Sequence, residues 1–209
     1  EIPQEYFVEL IKNSDVKQLP LAENETVDEF LTFITPIVFD KDLYATRRSG
    51  NDDIIRNSAT NFYKGDLSKE EVEQFYDAQR EPKDLTPISY GLNSQLVKEN
   101  GKIYENVYKS GGLYGEVIDQ IIFWLEKANL VAENDTQRNY TQLLIDYYKT
   151  GDLNLWDDYN VAWVQDSVSM IDYVNGFIED YGDPMGMKAT WEAVVNFKDL
   201  EATKRSSLI

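Results

Sequence analysis

Apolar residues recur at three- and four-residue spacing through the first 85 residues, which is the spacing of one face of an amphipathic helix. This pattern predicts a mainly helical segment over residues 1–85, with a polar loop at residues 40–51. The predicted helices begin, in order, after Pro3, at the capping box of Thr26 and Glu29, at Asp52-Asp53 on the way to Tyr63, and at the capping box of Ser68 and Glu71. Pro36 is expected to kink or end the second of them.

From about residue 90 the apolar positions begin to alternate with polar ones, which is typical of half-buried strands. Asn100-Gly101 separates two such runs and predicts a β-hairpin, because a type I′ turn needs positive φ at both central residues and Asn-Gly adopts it at low cost. Further runs predict strands at residues 161–165, within residues 169–181 and at residues 189–197. The total is about five strands, all within residues 90–197.

Helical spacing returns between these strands. The longest predicted helix carries an apolar stripe over residues 117–128, and Phe123 and Trp124 widen it, so this helix is expected to be buried on more than one side. A second helix is predicted to be capped by Asp135 or Thr136 and to end at Thr150-Gly151, and a short third one covers residues 152–159.

The predicted fold class is α+β, because the helices precede and interrupt the strands without regular alternation. We expect a single lobe over residues 1–209. Within it, residues 86–209 should hold a small five-stranded β-barrel or strongly twisted sheet, at about residues 90–197, surrounded by helices.

One stretch combines a strand with chemistry. Residues 169–186 read SMIDYVNGFIEDYGDPMG, an alternating run that ends in a Gly-Asp-Pro-Met-Gly turn. Because strand side chains alternate between faces, Glu179 and Tyr181 are predicted to share one face, roughly 7 Å apart. A carboxylate and a phenol so placed could hold a cationic or amide group of a ligand. The pattern alone, however, favours a solvated strand end with an ordinary surface glutamate.

Acidic residues outnumber basic ones. The sequence has 38 Asp and Glu against 20 Lys and Arg, a formal charge of −18. Such a charge repels phosphate backbones and anionic lipid surfaces, so neither a nucleic-acid nor a membrane partner is expected. The negative charge attracts cations or the free amino end of a peptide. A surface whose acidic residues only keep the protein soluble explains the charge equally well. No apolar run approaches the length of about 18 residues that spans a membrane.

The sequence contains no histidine and no cysteine. Ser-His-Asp chemistry, thiolate nucleophiles and the usual zinc ligands are therefore excluded, and the chain alone is not expected to be a complete enzyme. The acidic runs Asn51-Asp52-Asp53 and Asp157-Asp158 lack the spacing and the glycine of an EF-hand, so no metal site is predicted. Because the chain starts at Glu1 without an initiator methionine, we expect a fragment of something longer. The compartment is open, with cytoplasmic favoured over periplasmic.

Residues 174–205 read VNGFIEDYGDPMGMKATWEAVVNFKDLEATKR. The G-F-I-E-x-Y core with its following D-P resembles the dipeptidyl-peptidase III family of zinc exopeptidases, the bacterial branch in particular. The resemblance implies a two-lobed parent protein that removes dipeptides from the N-termini of short peptides. It also implies zinc in a helical upper lobe and a five-stranded β-barrel in the lower lobe, and this chain resembles the lower, substrate-binding lobe.

Carried over residue by residue, the resemblance implies that Glu179 receives the substrate's α-ammonium group and that the Tyr181 hydroxyl reaches the scissile amide and steadies the oxyanion. Asp180 departs from some relatives and is expected to face away. The family's zinc motif, H-E-x-x-G-H, is absent. The chain alone is therefore expected to be inactive and to hold no cofactor, the zinc and the upper lobe belonging to the parent protein. The alternative is a non-catalytic acidic module that binds proteins or peptides.

Overall fold

The structure, a computed structural model, describes residues 2–40, 53–56, 58 and 60–207. The helices are α1 (Gln4–Lys12), α2 (Val27–Phe39), α3 (Lys69–Asp77), α4 (Gly115–Leu130), α5 (Asp135–Thr150), α6 (Leu153–Val164) and α7 (Leu200–Ser206). The strands are β1 (Tyr63–Lys64), β2 (Ser94–Glu99), β3 (Lys102–Val107), β4 (Ile171–Glu179) and β5 (Thr190–Phe197). Helices and strands are thus mixed without alternating, which confirms the α+β class. No helix in the described ranges is long and apolar enough to cross a membrane.

The two capping boxes lie where the sequence predicts them. Thr26 and Ser68 each accept a hydrogen bond from the backbone N–H three residues on, and Glu29 and Glu71 accept one back from the N-cap amide. Each box satisfies amides that the first helical turn leaves without a partner. The second helix does not end at Pro36, since α2 continues to Phe39.

The predicted helix from Asp52-Asp53 to Tyr63 is wrong where the structure describes it. The Asp53 carboxylate accepts the amides of Ile55 and Arg56 and holds a turn there. A side chain that bonds its own neighbouring backbone in this way competes with helix formation. Tyr63 instead begins β1, which pairs in parallel with β2. Residues 41–52, which include the predicted polar loop and the expected helix start, lie outside the described residues.

The strands form two small sheets. One has the order β1-β2-β3, and its β2–β3 hairpin turns at Asn100 and Gly101 with φ of 50° and 76°, as predicted. The other is the antiparallel pair β4-β5, whose register runs from Ile171 opposite Phe197 to Glu179 opposite Thr190. Within the described part of the chain these sheets are not closed into a barrel, so the single five-stranded barrel is not confirmed.

The strand predicted at residues 161–165 is also wrong, because α6 continues to Val164. Trp156, Tyr159 and Ala162 are buried at three-residue intervals along this helix. The packing of these three side chains favours a helix over the strand that the short alternation predicts. A short apolar run is compatible with both the helical and the strand period.

The core lies around α5, which packs against α4 on one side and α6 on the other. Asn134 caps α5, one residue before the predicted position. On α4, Ile118 and Leu125 are buried, but Trp124 is 67% exposed and Phe123 46% exposed. The expectation that α4 is buried on more than one side is therefore wrong: it buries a single stripe against α5.

Candidate functional site

Glu179 is the last residue of β4 and is half-buried. It lies opposite Thr190 of β5, whose hydroxyl donates to the Glu179 carbonyl oxygen at 3.2 Å. A β-bulge interrupts the register between Phe177 and Glu179. Because a bulge breaks the alternation of faces, strand geometry alone does not show that Glu179 and Tyr181 share a face. Their facing the same side stays a prediction.

Before the bulge, one face of β4 is anchored in the core. Tyr173 hydrogen-bonds Thr141 of α5, and Asn175 accepts a hydrogen bond from the Tyr148 hydroxyl at 2.8 Å. Phe177 packs against Tyr108 with ring centroids 4.8 Å apart. The strand that leads into Glu179 is therefore held by three successive side-chain contacts on one face.

Tyr181 follows the strand in a turn and is 68% exposed. It lines a groove of about 810 Å³ that we call the Tyr181 groove. Its lining includes residues 60–62, Tyr114 with the start of α4, and Phe177 and Trp191 of the β4-β5 pair. Most of the lining is apolar or aromatic. Glu179 is not among the lining residues in the described ranges.

A second, smaller cavity of about 310 Å³ lies on another side of the same turn. Asp180 lines it together with Arg80, Tyr90 and Met187. Asp180 and Tyr181, although adjacent in sequence, thus border different cavities. The turn presents its two polar side chains to separate spaces.

The turn itself is organised around a buried carboxylate, that of Asp183, which has no exposed surface. Asp183 accepts the amides of Met187 and Lys188 at 2.8 and 2.9 Å, and the hydroxyl of Tyr63 at 3.0 Å. Burial and, next, the negative charge of Asp183 raise the pKa of Tyr63, so this phenol stays protonated and keeps donating.

Lys188 is also fully buried. Its Nζ donates to the Tyr76 hydroxyl at 2.6 Å, to both the carbonyl and the hydroxyl of Ser94 at 3.1 Å, and to the Gly91 carbonyl at 3.2 Å. Burial lowers the pKa of Lys188 to about 8, against the opposing charges of Glu105 and Asp183.

Sequence reasoning does not single out Asp183 or Lys188. Aspartate in a Gly-Asp-Pro turn is a common turn residue, and a lysine beside it reads as solvated, because lysine is rarely buried. Only the contact of this turn with β2 and α3 makes the lysine internal, and no local signal in the sequence announces that contact.

The buried lysine predicts a pH-dependent stability. The unfolded chain binds a proton at Lys188 up to a pKa near 10.5, whereas the folded chain releases it near 8. Between these values the unfolded state binds more protons, so the free energy of unfolding rises with pH, by about 2 kcal/mol from about pH 7.5 to 9.5. Urea titrations across this range should show the rise in wild type.

Lys188→Met should remove that rise, and the exposed-lysine control Lys83→Met should retain it. Equal slopes in all three proteins would show that Lys188 does not titrate abnormally. The range stays below the ordinary tyrosine pKa of about 10, where the buried phenols begin to contribute.

The described residues do not fit a zinc site. No group of three or more acidic side chains in the described ranges could hold a metal ion, and the sequence offers neither histidine nor cysteine.

Comparison with known proteins places these features in a family. The family model for peptidase family M49 matches residues 41–209. Dipeptidyl peptidase 3 of Dictyostelium discoideum is 24% identical over 168 residues, which is 69% of this chain and 23% of that protein. Dipeptidyl peptidase 3 of Rattus norvegicus is 30% identical over 94 residues, 44% of this chain and 13% of that protein.

Among solved structures, DPP III from Caldithrix abyssi superposes with a TM-score of 0.57 at 23% identity and shares the fold. The match covers 99% of this chain and 37% of that structure. The chain therefore matches well under half the length of each of these three proteins. Since the family model covers most of the sequence, the chain belongs to peptidase family M49.

Proposed function

We propose that this chain is the substrate-binding lobe of a longer zinc-dependent dipeptidyl peptidase and that it is inactive by itself. The observation that carries the proposal is the position of Tyr181. It is largely exposed on an apolar groove of about 810 Å³, two residues beyond a half-buried glutamate at a strand end. Apolar grooves with a few polar groups are where peptides and small ligands bind. Membership of family M49 supports the proposal.

In this proposal Glu179 recognises the amino end of the peptide. A carboxylate that accepts hydrogen bonds from an α-ammonium group makes a charge-assisted contact, roughly twice as strong as a neutral one. Such a contact fixes the position of the peptide's first residue, as removal of a dipeptide requires. The formal charge of −18 favours approach of a cationic peptide end.

Tyr181 then serves the scissile amide. Its hydroxyl donates a hydrogen bond to the carbonyl oxygen and becomes more strongly bonded as negative charge develops there. Removing one donor of this kind costs roughly 100- to 1,000-fold in turnover. A zinc ion held elsewhere in the longer protein would supply the Lewis acid for the same carbonyl.

The partner implied is the remainder of the longer protein. Among the described strands β5 pairs with β4 alone, and its Val195 and Phe197 are 71% and 82% exposed. An edge strand with exposed apolar side chains is a ready template for further pairing. Its exposure supports a larger sheet, up to the five-stranded barrel, completed by other segments of the longer protein.

The test begins with the 209-residue chain. It should hydrolyse no dipeptidyl-arylamide with or without added Zn²⁺, whereas the longer protein should. In the longer protein Tyr181→Phe is expected to lower kcat about 100-fold with KM changed less than about threefold, because the lost bond forms mainly in the transition state. Steady-state kinetics on a dipeptidyl-arylamide measure both.

Tyr114→Phe is the matched control, since Tyr114 lines the same groove and is similarly exposed. It should leave kcat unchanged. Full turnover of Tyr181→Phe, or an equal loss in Tyr114→Phe, would remove Tyr181 from the proposed role.

A second candidate is a non-catalytic acidic module that binds peptides or proteins. The charge of −18 favours it. The two candidates differ in the part of a peptide that they bind. A substrate lobe loses affinity when the peptide's amino terminus is acetylated, whereas a general acidic module binds internal basic residues and tolerates acetylation.

A further inference from the structure

We propose that Tyr63, Asp183 and Lys188 are positioning residues, whose buried hydrogen bonds hold the turn that carries Tyr181 in place next to residues 60–62 of the groove lining. The inference rests on the proposed function only for the role of Tyr181. The three residues are not among those that line either cavity. They act through the backbone to which Tyr181 belongs.

The network meets the groove lining at two places. Residues 60–62 line the groove, and Tyr63 is the next residue. Residues 181 and 182 also line it, and Asp183 is the next residue. The 3.0 Å hydrogen bond from the Tyr63 hydroxyl to Asp183 therefore joins these two lining segments one residue beyond each of them.

The turn is closed by its own hydrogen bonds. The Asp183 amide donates to the Asp180 carbonyl at 2.9 Å, and the Gly186 amide donates to the Asp183 carbonyl at 3.0 Å. Two successive turns thus meet at Asp183, and its carboxylate closes the second one by accepting the amides of Met187 and Lys188. Tyr181 lies inside the first turn, so its backbone moves only if this arrangement opens.

Lys188 attaches the far end of the turn to other elements. Lys188 reaches Gly91, Ser94 and Tyr76, which belong to the approach to β2, to β2 and to α3. Tyr76 and Ser94 also donate to the Glu105 carboxylate of β3, at 2.8 and 2.5 Å. The turn is therefore bonded at one end to β1 and at the other to the β2–β3 hairpin and α3.

Energetics favour a geometric role over a stabilising one. A buried ammonium loses its hydration, and its partners rarely repay that loss more fully than well-packed apolar side chains do. Its several donors, however, hold acceptors from different segments in one arrangement. Met185 and Met187 of the turn pack against the cluster formed by Leu67, Val72 and Leu96. These apolar contacts stabilise the turn, but unlike hydrogen bonds they have no directional preference.

The test uses Tyr63→Phe, which removes the joining hydroxyl and keeps the ring. Hydrogen exchange in the 209-residue chain should quicken at least fivefold at the Met185, Met187 and Lys188 amides, all bonded to Asp183. Lys188→Met should quicken the same amides. In parallel, the affinity for tetraalanine amide with a free amino terminus should fall about fivefold in each variant.

Ile145→Val is the control for general loss of stability, because Ile145 is buried in α5 away from the network. It should lower the melting temperature without changing exchange at those three amides or the peptide affinity. Unchanged exchange in Tyr63→Phe, or an equal change in Ile145→Val, would overturn the inference. A wild-type chain that binds no tetraalanine amide would count against the proposed function, while the exchange result would still decide the positioning role.

Discussion

Glutamine in place of Glu179 is expected to lower kcat/KM of the longer peptidase on dipeptidyl-arylamides by about 100-fold. Glutamine keeps the shape and one acceptor oxygen but loses the charge, and hydrogen bonds to a charged group contribute about 1.5–3 kcal/mol. Since the ammonium group is bound in both the ground state and the transition state, the loss should fall mainly on KM. Initial-rate kinetics over a range of substrate concentrations separate the two constants.

The neighbouring acid offers a matched control. Asp180 is one residue away but lines the smaller cavity, so Asp180→Asn removes the same charge from the turn without touching the proposed amine site. It should change kcat/KM less than about threefold, the effect of a nearby surface charge. If the two substitutions cost the same, Glu179 acts only through general electrostatics and the amine-anchor role is wrong.

Gly176→Ala is expected to destabilise the chain by about 3 kcal/mol. A Cβ at Gly176 would lie 2.4 Å from Cη2 and 2.6 Å from Cζ3 of Trp156. The Trp156 indole cannot move away, because the rings of Tyr147 and Tyr159 pack against it with centroid distances of 5.1 and 5.3 Å. Thermal unfolding should show a melting temperature lower by roughly 10 °C.

Gly182→Ala provides the control within the same segment, since nothing lies within 4 Å of a Cβ placed there. Its melting temperature should match wild type within about 2 °C. Trp156→Phe added to Gly176→Ala should recover part of the loss, because the smaller ring vacates the space. Additive losses in the double variant would mean that the indole is not what excludes a side chain at Gly176.

Several elements could be predicted because their determinants lie within a few residues of each other. The capping boxes at Thr26 and Ser68 and the Asn100-Gly101 turn are satisfied by groups no more than four residues away, and all three appear as predicted. The strand that ends at Glu179 and the strand at residues 190–197 were likewise visible from alternation and β-branched composition.

The sequence predicts other elements wrongly where two periods compete. The alternation at residues 161–165 predicts a strand, yet residues 161–164 belong to α6, because Tyr159 and Ala162 pack into the core. In the segment after Asp53, apolar residues at helical spacing form a turn and then β1, because Asp53 takes the local amides and β2 offers Tyr63 a partner. In both cases a contact with another part of the chain decides the secondary structure.

The stretch with Glu179 and Tyr181 shows the same division. By itself the sequence determined a strand ending in a Gly-Asp-Pro turn, the residues carried by its end, the acidic charge, and through its motif the family. Only the tertiary structure decided that a bulge precedes Glu179, that Tyr181 borders a groove, and that Lys188 is buried beneath the turn. The physical reason is that burial depends on distant segments brought together by packing, which no local pattern encodes.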